Sequence, residues 1–218
     1  MHLTTIRLDP DHHAVRQETR DLCAMHSRII DATAGMDTDG PRVLWATPSP
    51  GMLVIRAPEP VTSARLPAGY ATAITHRLWS PPGRPGDYRM VAVLNPGRSV
   101  TILGPTLNQP DRKRSAGQPK LLTDPGEQEA WLTRRLNAGG SQADGAEDDA
   151  AARIDGFRVT RTWVGRGRHR TGRTITARLV AISATVTVTD PAAVAAAVLG
   201  GVGIDKTWGA GLTLWEAA

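Results

Sequence analysis

A single cysteine, Cys23, stands in 218 residues, so no disulfide can close within the chain and no zinc site can be built on thiolates. Aromatic residues are scarce: six Trp, two Tyr and one Phe, none of them in a paired strand motif. That scarcity disfavours a surface that stacks successive bases on sheet-face rings. Long apolar runs are missing too. The longest, Ala192–Leu199, is alanine-rich and far too short to span a bilayer. Met1–Pro10 alternates polar and apolar residues without an apolar core, so it does not read as a secretory signal, and the expected compartment is the cytoplasm. No His-Glu-x-x-His motif or acidic metal cluster occurs. His12 and His13 are adjacent and point to different faces, while His2 and His76 are isolated. The sequence therefore predicts neither a metal nor a cofactor. From Arg158 to Thr189 there is no acidic residue at all.

What is present is an ordinary globular composition, 40% hydrophobic and 22% charged, in a chain long enough for one large domain or two small ones. Lys and Arg total 26 against 21 acids, a net charge of +5 that modestly favours a polyanionic partner. Its distribution says more than its size.

Period-2 alternation predicts strands at 2–8, 42–46, 52–57 and 88–94, the second and third forming a hairpin around Pro48-Ser49-Pro50-Gly51. Asp9-Pro10 has the chemistry of a helix start, and Val15, Leu22, Met25 and Ile29 extend one apolar stripe to about Ala32. The stretch 61–85 is ambiguous. Asn95-Pro96-Gly97 is a strong breaker and marks a boundary. Beyond it come a basic loop at 105–119, a short strand at 120–122 and a helix opened by Asp124-Pro125. An acidic, Ala/Gly-rich segment at 139–155 lacks apolar anchors and reads as a disordered insert. A long hairpin at 157–164 and 174–189, a helix from Asp190-Pro191 to Gly200-Gly201 and a last strand at 212–215 complete the chain. The order strand, helix, strand, strand, helix, strand is the ferredoxin-like unit, and two tandem copies fit the length. The expected fold is thus α+β. Residues 1–97 form a first unit carrying the long helix, 98–119 a basic linker, and 120–218 a second unit.

The strongest chemical signal is the arginine series Arg158, Arg161, Arg166, Arg168, Arg170, Arg173 and Arg178, joined by His169. Gly165, Gly167 and Gly172 let that hairpin bend and approach a partner closely. Guanidinium forks match phosphate oxygens, so a one-signed, Gly-spaced hairpin points to nucleic acid rather than to a solvated edge, which usually mixes signs. Arg112, Lys113 and Arg114 with Lys120 make a second basic feature, a solvated loop when taken alone. On the first helix, Cys23 and His26 are surface neighbours, and His26 lies at the border of the apolar stripe between Leu22 and Ile30. Periodicity alone favours a packed histidine there. The stretch from Gly200 to Gly211 fails as a P-loop, because Asp205 precedes Lys206. It also fails as a dinucleotide fingerprint, because Lys206 takes the third glycine position. It reads instead as a loop whose backbone N–H groups, at Gly203 for example, approach an anion with Lys206 adding charge.

The pattern Gly201-x-Gly-x-x-Lys-x-x-Gly-x-Gly-Leu212 before a last strand resembles the glycine-rich signature of CRISPR repeat-processing endoribonucleases. Leu22-Cys-Ala-Met-His-Ser27, the strand from Tyr88 to Gly97, and Leu121-Leu-Thr-Asp-Pro-Gly-Glu-Gln-Glu-Ala-Trp-Leu132 are similar to the type I-E branch, the CasE family. The resemblance spans nearly the whole chain. It implies two ferredoxin-like domains and metal-independent cleavage of precursor CRISPR RNA at the 3′ base of the repeat stem-loop. It also implies retention of the product hairpin within the Cascade complex, by a subunit that is a monomer when free and has no membrane partner. The catalytic histidine of that family falls on His26, its arginine-rich hairpin on Arg158–Arg178, and a basic positioning loop loosely on Arg112–Lys120. Where well-known members carry a tyrosine, this chain has Cys23, whose thiol is shorter and a poor donor. Arg20, Ser27 and Arg28 are unranked candidates to replace it. A hairpin-binding subunit without catalysis is the alternative.

Overall fold

The computed structural model describes residues 1–36, 42–98, 120–138 and 150–218. Two four-stranded antiparallel sheets make up the fold. In the first, β1 (His2–Leu8) lies between β3 (Met52–Ala57) and β4 (Ala71–Leu78), and β2 (Leu44–Ala46) flanks β3. Alternation sends Ile6, Leu8, Leu53 and Ile55 to one face, where α1 (His13–Glu18) and α2 (Leu22–Ala32) cover them with Val15, Met25 and Ile29. The opposite face, with Leu3 and Val54, joins the core of the second unit.

The second sheet has the order β10 (Leu212–Ala217), β5 (Gly86–Leu94), β9 (Thr174–Val188), β8 (Ala152–Arg168). Tyr88, Met90, Ile182, Val186 and Val188 are buried in one core with residues of α3 (Pro125–Asn137) and α4 (Pro191–Leu199). Both sheets have the ferredoxin-like strand order. In the first unit only a 3-10 turn, Ser63–Arg65, stands where the second helix would be.

Four expectations change. The helix expected from Pro10 to Ala32 is two helices. Thr19 Oγ1 donates back to the Val15 carbonyl at 2.7 Å. The Asp21 carboxylate accepts from Cys23 N at 2.8 Å and Ala24 N at 3.2 Å, capping a new helix. Asp9, the expected cap, instead accepts from Asp11 N, and His12 Nδ1 caps α1 through Ala14 N. The ambiguous stretch 61–85 contains β4, whose mixture of Thr, His and Arg matches its place at a sheet edge. The strand expected at 120–122 does not open the second unit. As β7 (Lys120–Leu121) it pairs only with β6 (Gly97–Arg98). The strand that opens the second unit is β5, which lies before Asn95 and is hydrogen-bonded along its length to β9 and β10. The sheets therefore divide between Leu78 and Gly86 rather than at residue 97. Of the expected insert at 139–155, residues 139–149 lie outside the described residues. Ala152 to Asp155 are paired in β8, with Asn137 bonding Ala152 through both amide groups.

Arg56 ties the two units together. Its side chain is fully buried, at 0% exposure, and its guanidinium donates to the Leu199 and Val198 carbonyls at the end of α4 and to the Arg42 carbonyl. It also lies 4.4 Å from the Trp79 ring centroid. A cation at a helix C-terminus meets the negative end of the backbone dipoles and satisfies carbonyls that have no helical partner.

Candidate RNA interface and active site

Strand parity sorts the predicted arginines. Val164 pairs with Arg178, Arg166 with Thr176 and Arg168 with Thr174, so Arg166, Arg168 and Arg178 share one exposed face of the hairpin. Arg170 and Arg173 are exposed in the tip. His169 shapes that tip: its N–H donates to the Arg173 carbonyl at 2.9 Å and its Nδ1 lies 2.9 Å from Thr171 Oγ1. The opposite face rests on α2. A Cβ on Gly165 would stand 2.7 Å from Leu22 Cδ1, and one on Gly167 would stand 2.7 Å from Cys23 N. The hairpin backbone thus lies directly on the first turn of the helix. Arg161 packs over the Trp163 ring at 4.4 Å.

Arg158 is set apart from this row. It sits between two bulges, one of which separates it from Arg161, and it lines a cleft of about 480 Å³ between the sheets, with Arg77 and Arg89. Arg112, Lys113 and Arg114 lie outside the described residues, as does the side chain of Lys120. The basic feature expected from them has no structural counterpart to describe.

His26 projects from α2 toward the glycine-rich loop. Its half-buried ring meets Trp208 edge-on, with centroids 5.2 Å apart, and its Nδ1 is buried without a hydrogen-bond partner among the described residues. Burial, and then the charge of Arg42, hold its pKa below the ordinary imidazole value. The loop is built to stay there. Asp205 adopts a left-handed backbone at φ 55° and accepts from Asn95 Nδ2, opening a 3-10 turn over Lys206–Trp208. Trp45 Nε1 donates to the Thr207 carbonyl at 3.2 Å, and Arg42 Nη2 to Thr207 Oγ1 at 2.7 Å. Burial, followed by the charges of Arg42 and Arg135, pushes the Lys206 pKa down. At Gly203, expected to offer its N–H to an anion, the structure shows a packing role: at φ 86°, a Cβ there would stand 2.9 Å from the Trp131 ring.

His26 therefore packs against the turn that carries Lys206, and the arginine hairpin rests on the same helix. An imidazole shielded from water beside cationic groups can hold a phosphate ester and move a proton to it. The sequence alone does not single out Arg42, Arg135, Thr207 or Trp208. Arg42 opens a strand and Trp208 sits among glycines, and neither position carries a spacing that points to His26. Cys23 is a poor substitute for a phenol, because burial and then Asp21 push its thiol pKa up and its Sγ is close to Gly167. Arg28 is committed elsewhere. Its Nη2 and Nε both donate to Glu18 Oε1, at 2.8 and 3.1 Å, while Tyr70 donates to Glu18 Oε2. Arg20 and Ser27 are exposed.

The chain is similar to known proteins in both sequence and fold. The chain is 29% identical over 224 residues to the CRISPR-associated endoribonuclease Cse3 of Thermus thermophilus, covering 97% of this chain and 98% of that protein. Thermus thermophilus Cse3, solved with an RNA representing a pre-cleavage complex, is similar in fold, with TM-score 0.70 and 23% identity over 99% of this chain and 98% of that one. A chain of a CRISPR RNA-guided surveillance complex matches with TM-score 0.65 and 18% identity, over 100% of both chains. The family model described as CRISPR associated protein matches residues 1–214. The chain belongs to that family of CRISPR-associated proteins.

Proposed function

We propose that this protein is the endoribonuclease that binds the repeat stem-loop of precursor CRISPR RNA and cuts at its 3′ base, then retains the hairpin as a subunit of Cascade. The observation that carries the proposal is the stacking of the arginine hairpin on the helix that bears His26, through Gly165 and Gly167. A stem held along Arg166, Arg168 and Arg178 would place a neighbouring phosphate near His26 and Lys206. The similar Thermus protein is named an endoribonuclease, and related folds have been solved with RNA and within a surveillance complex.

The reaction needs no metal. The 2′-OH next to the scissile phosphate gives up its proton to solvent water and its oxygen attacks phosphorus. The P–O5′ bond then breaks and O5′ takes a proton, leaving a 2′,3′-cyclic phosphate and a 5′-OH. His26 acts as the general acid toward O5′. A depressed pKa makes its imidazolium a stronger proton donor. Cationic groups stabilise the charge on the pentavalent intermediate.

The test is cleavage of labelled cognate repeat RNA in EDTA, wild type beside His26→Ala, with a 2′-deoxy substrate as control. A single cut at the stem base, lost in His26→Ala with binding retained and lost with the 2′-deoxy substrate, is expected. Cutting of the 2′-deoxy RNA would overturn the mechanism. Tight binding without any cut would make the chain a hairpin-binding subunit.

A further inference from the structure

The geometry points to Arg42 as a second catalytic group, whose guanidinium binds the scissile phosphate beside His26 and stabilises the charge that develops there; this rests on the function proposed above. Arg42 lies just before β2, outside every motif that the sequence singles out, and its side chain reaches the 3-10 turn of the glycine-rich loop. Its backbone is fixed, because its carbonyl accepts from the buried Arg56 Nη2 at 3.1 Å. Its side chain is aimed, because Nη2 donates to Thr207 Oγ1 at 2.7 Å. The next residue, Trp208, is the one whose ring meets His26 at 5.2 Å. Guanidinium and imidazole are thus held against consecutive residues of one turn, and that turn is itself pinned through the Thr207 carbonyl by Trp45.

Charge supports the assignment. The field of Arg42 reaches both His26 and Lys206, and Arg135 adds its own to Lys206. Gathering Arg42 and Arg135, from two other segments, around Lys206 of the loop costs stability in the free protein through mutual repulsion, and an anion relieves it. The nearest acid in the loop, Asp205, is engaged by Asn95 rather than by these cations. A guanidinium is suited to the work: it stays charged, is planar, and offers paired N–H donors to two phosphate oxygens. One such donor removed from a developing oxyanion costs about 100-fold or more in rate.

The experiment compares wild type, Arg42→Ala, Arg42→Lys, Thr207→Val and His26→Ala on labelled cognate repeat RNA, measuring hairpin affinity and the single-turnover cleavage rate at saturating protein. Arg42→Ala is expected to cut about 100-fold more slowly with an affinity within about threefold of wild type. Added guanidinium at millimolar concentration should restore part of the rate in Arg42→Ala and none in His26→Ala. Arg42→Lys should fall between Arg42→Ala and wild type. Thr207→Val, which removes the aiming bond but keeps the guanidinium, should lose less than Arg42→Ala. A near wild-type rate for Arg42→Ala, or equal losses of rate and affinity, would overturn the assignment. Absence of any cut by wild type would instead remove the proposed function on which it rests.

Discussion

Replacing Arg56 by methionine tests how the two units are joined. The variant keeps the length and the apolar stem of the side chain but loses the guanidinium. Two well-formed charge-assisted bonds disappear, to the Leu199 and Arg42 carbonyls, at about 2 kcal/mol each. The contact with Trp79 at 4.4 Å adds about 2 kcal/mol in a dry setting. Against this loss of about 6 kcal/mol stands relief from burying a charge. Burial lowers the Arg56 pKa to about 10, which at about 1.36 kcal/mol per unit from about 12.5 corresponds to about 3 kcal/mol. The net destabilisation is then about 3 kcal/mol, or about 6–12 °C in Tm for a chain of this size. Urea and thermal denaturation would read it directly. Because the same guanidinium roots both the Arg42 backbone and the end of α4 from which the glycine-rich loop departs, the folded variant should also cut more slowly than it binds. Unchanged stability would mean that desolvation cancels the bonds, and that the units are joined by their shared apolar core alone.

Three further outcomes follow from the geometry. Gly167→Val puts atoms within 2.7 Å of the Cys23 backbone nitrogen and 2.9 Å of Asp21 Oδ1, so the hairpin must lift from α2; cleavage should fall by an order of magnitude or more, with about 1–3 kcal/mol lost in denaturation. Asp21→Ala removes both bonds that cap α2 and should cost about 1 kcal/mol, seen as a lower Tm. Burial and Arg42 depress the His26 pKa, so the folded state binds its proton less readily than the unfolded chain does. The sign is therefore a stability contribution present above about pH 6.5 and lost as pH falls toward the lower folded value. Chemical denaturation of wild type and His26→Gln across pH 5–8 should show that dependence only in wild type.

Much of the fold was legible because its signals are local. Asp124-Pro125 and Asp190-Pro191 start their helices where capping chemistry places them, with the carboxylates on Glu127 N and on Ala192 and Ala193 N. Strand alternation likewise located β1, β3 and the long hairpin. The errors came where a local signal competes with a non-local one. Asp21 is as good a cap as Asp9, but it sits inside an apolar stripe that continues across it, and periodicity hides the break. The Asn95-Pro96-Gly97 breaker ends a strand without ending a unit, because β5 takes its partners from β9 and β10, some 85 to 130 residues later. The site shows the same division. His26, Lys206 and the arginine hairpin stand out by residue type. Arg42 and Trp208 acquire meaning only when α2, β2 and the loop before β10 converge.

That convergence bears on how a substitution at Cys23 can be tolerated. The residue lies on the first turn of α2, and Gly167 of the hairpin has no room for a side chain above it: a Cβ there would stand 2.9 Å from Cys23 Sγ. A large group at position 23 would have to displace either the strand or its own helix turn. A small one lets β8 settle onto the helix, which fixes the distance between the arginine face and His26. On this reading Cys23 acts by its size, and the positive charge felt by His26 comes from Arg42. Cys23→Ser and Cys23→Ala preserve that size and should keep both the hairpin affinity and the cleavage rate within a few-fold of wild type. Cys23→Leu should lower the rate through the same displacement as Gly167→Val. If Cys23→Ala abolished cleavage while the fold and the affinity held, the thiol itself would be part of the chemistry, and the reading of this position as a spacer would fail.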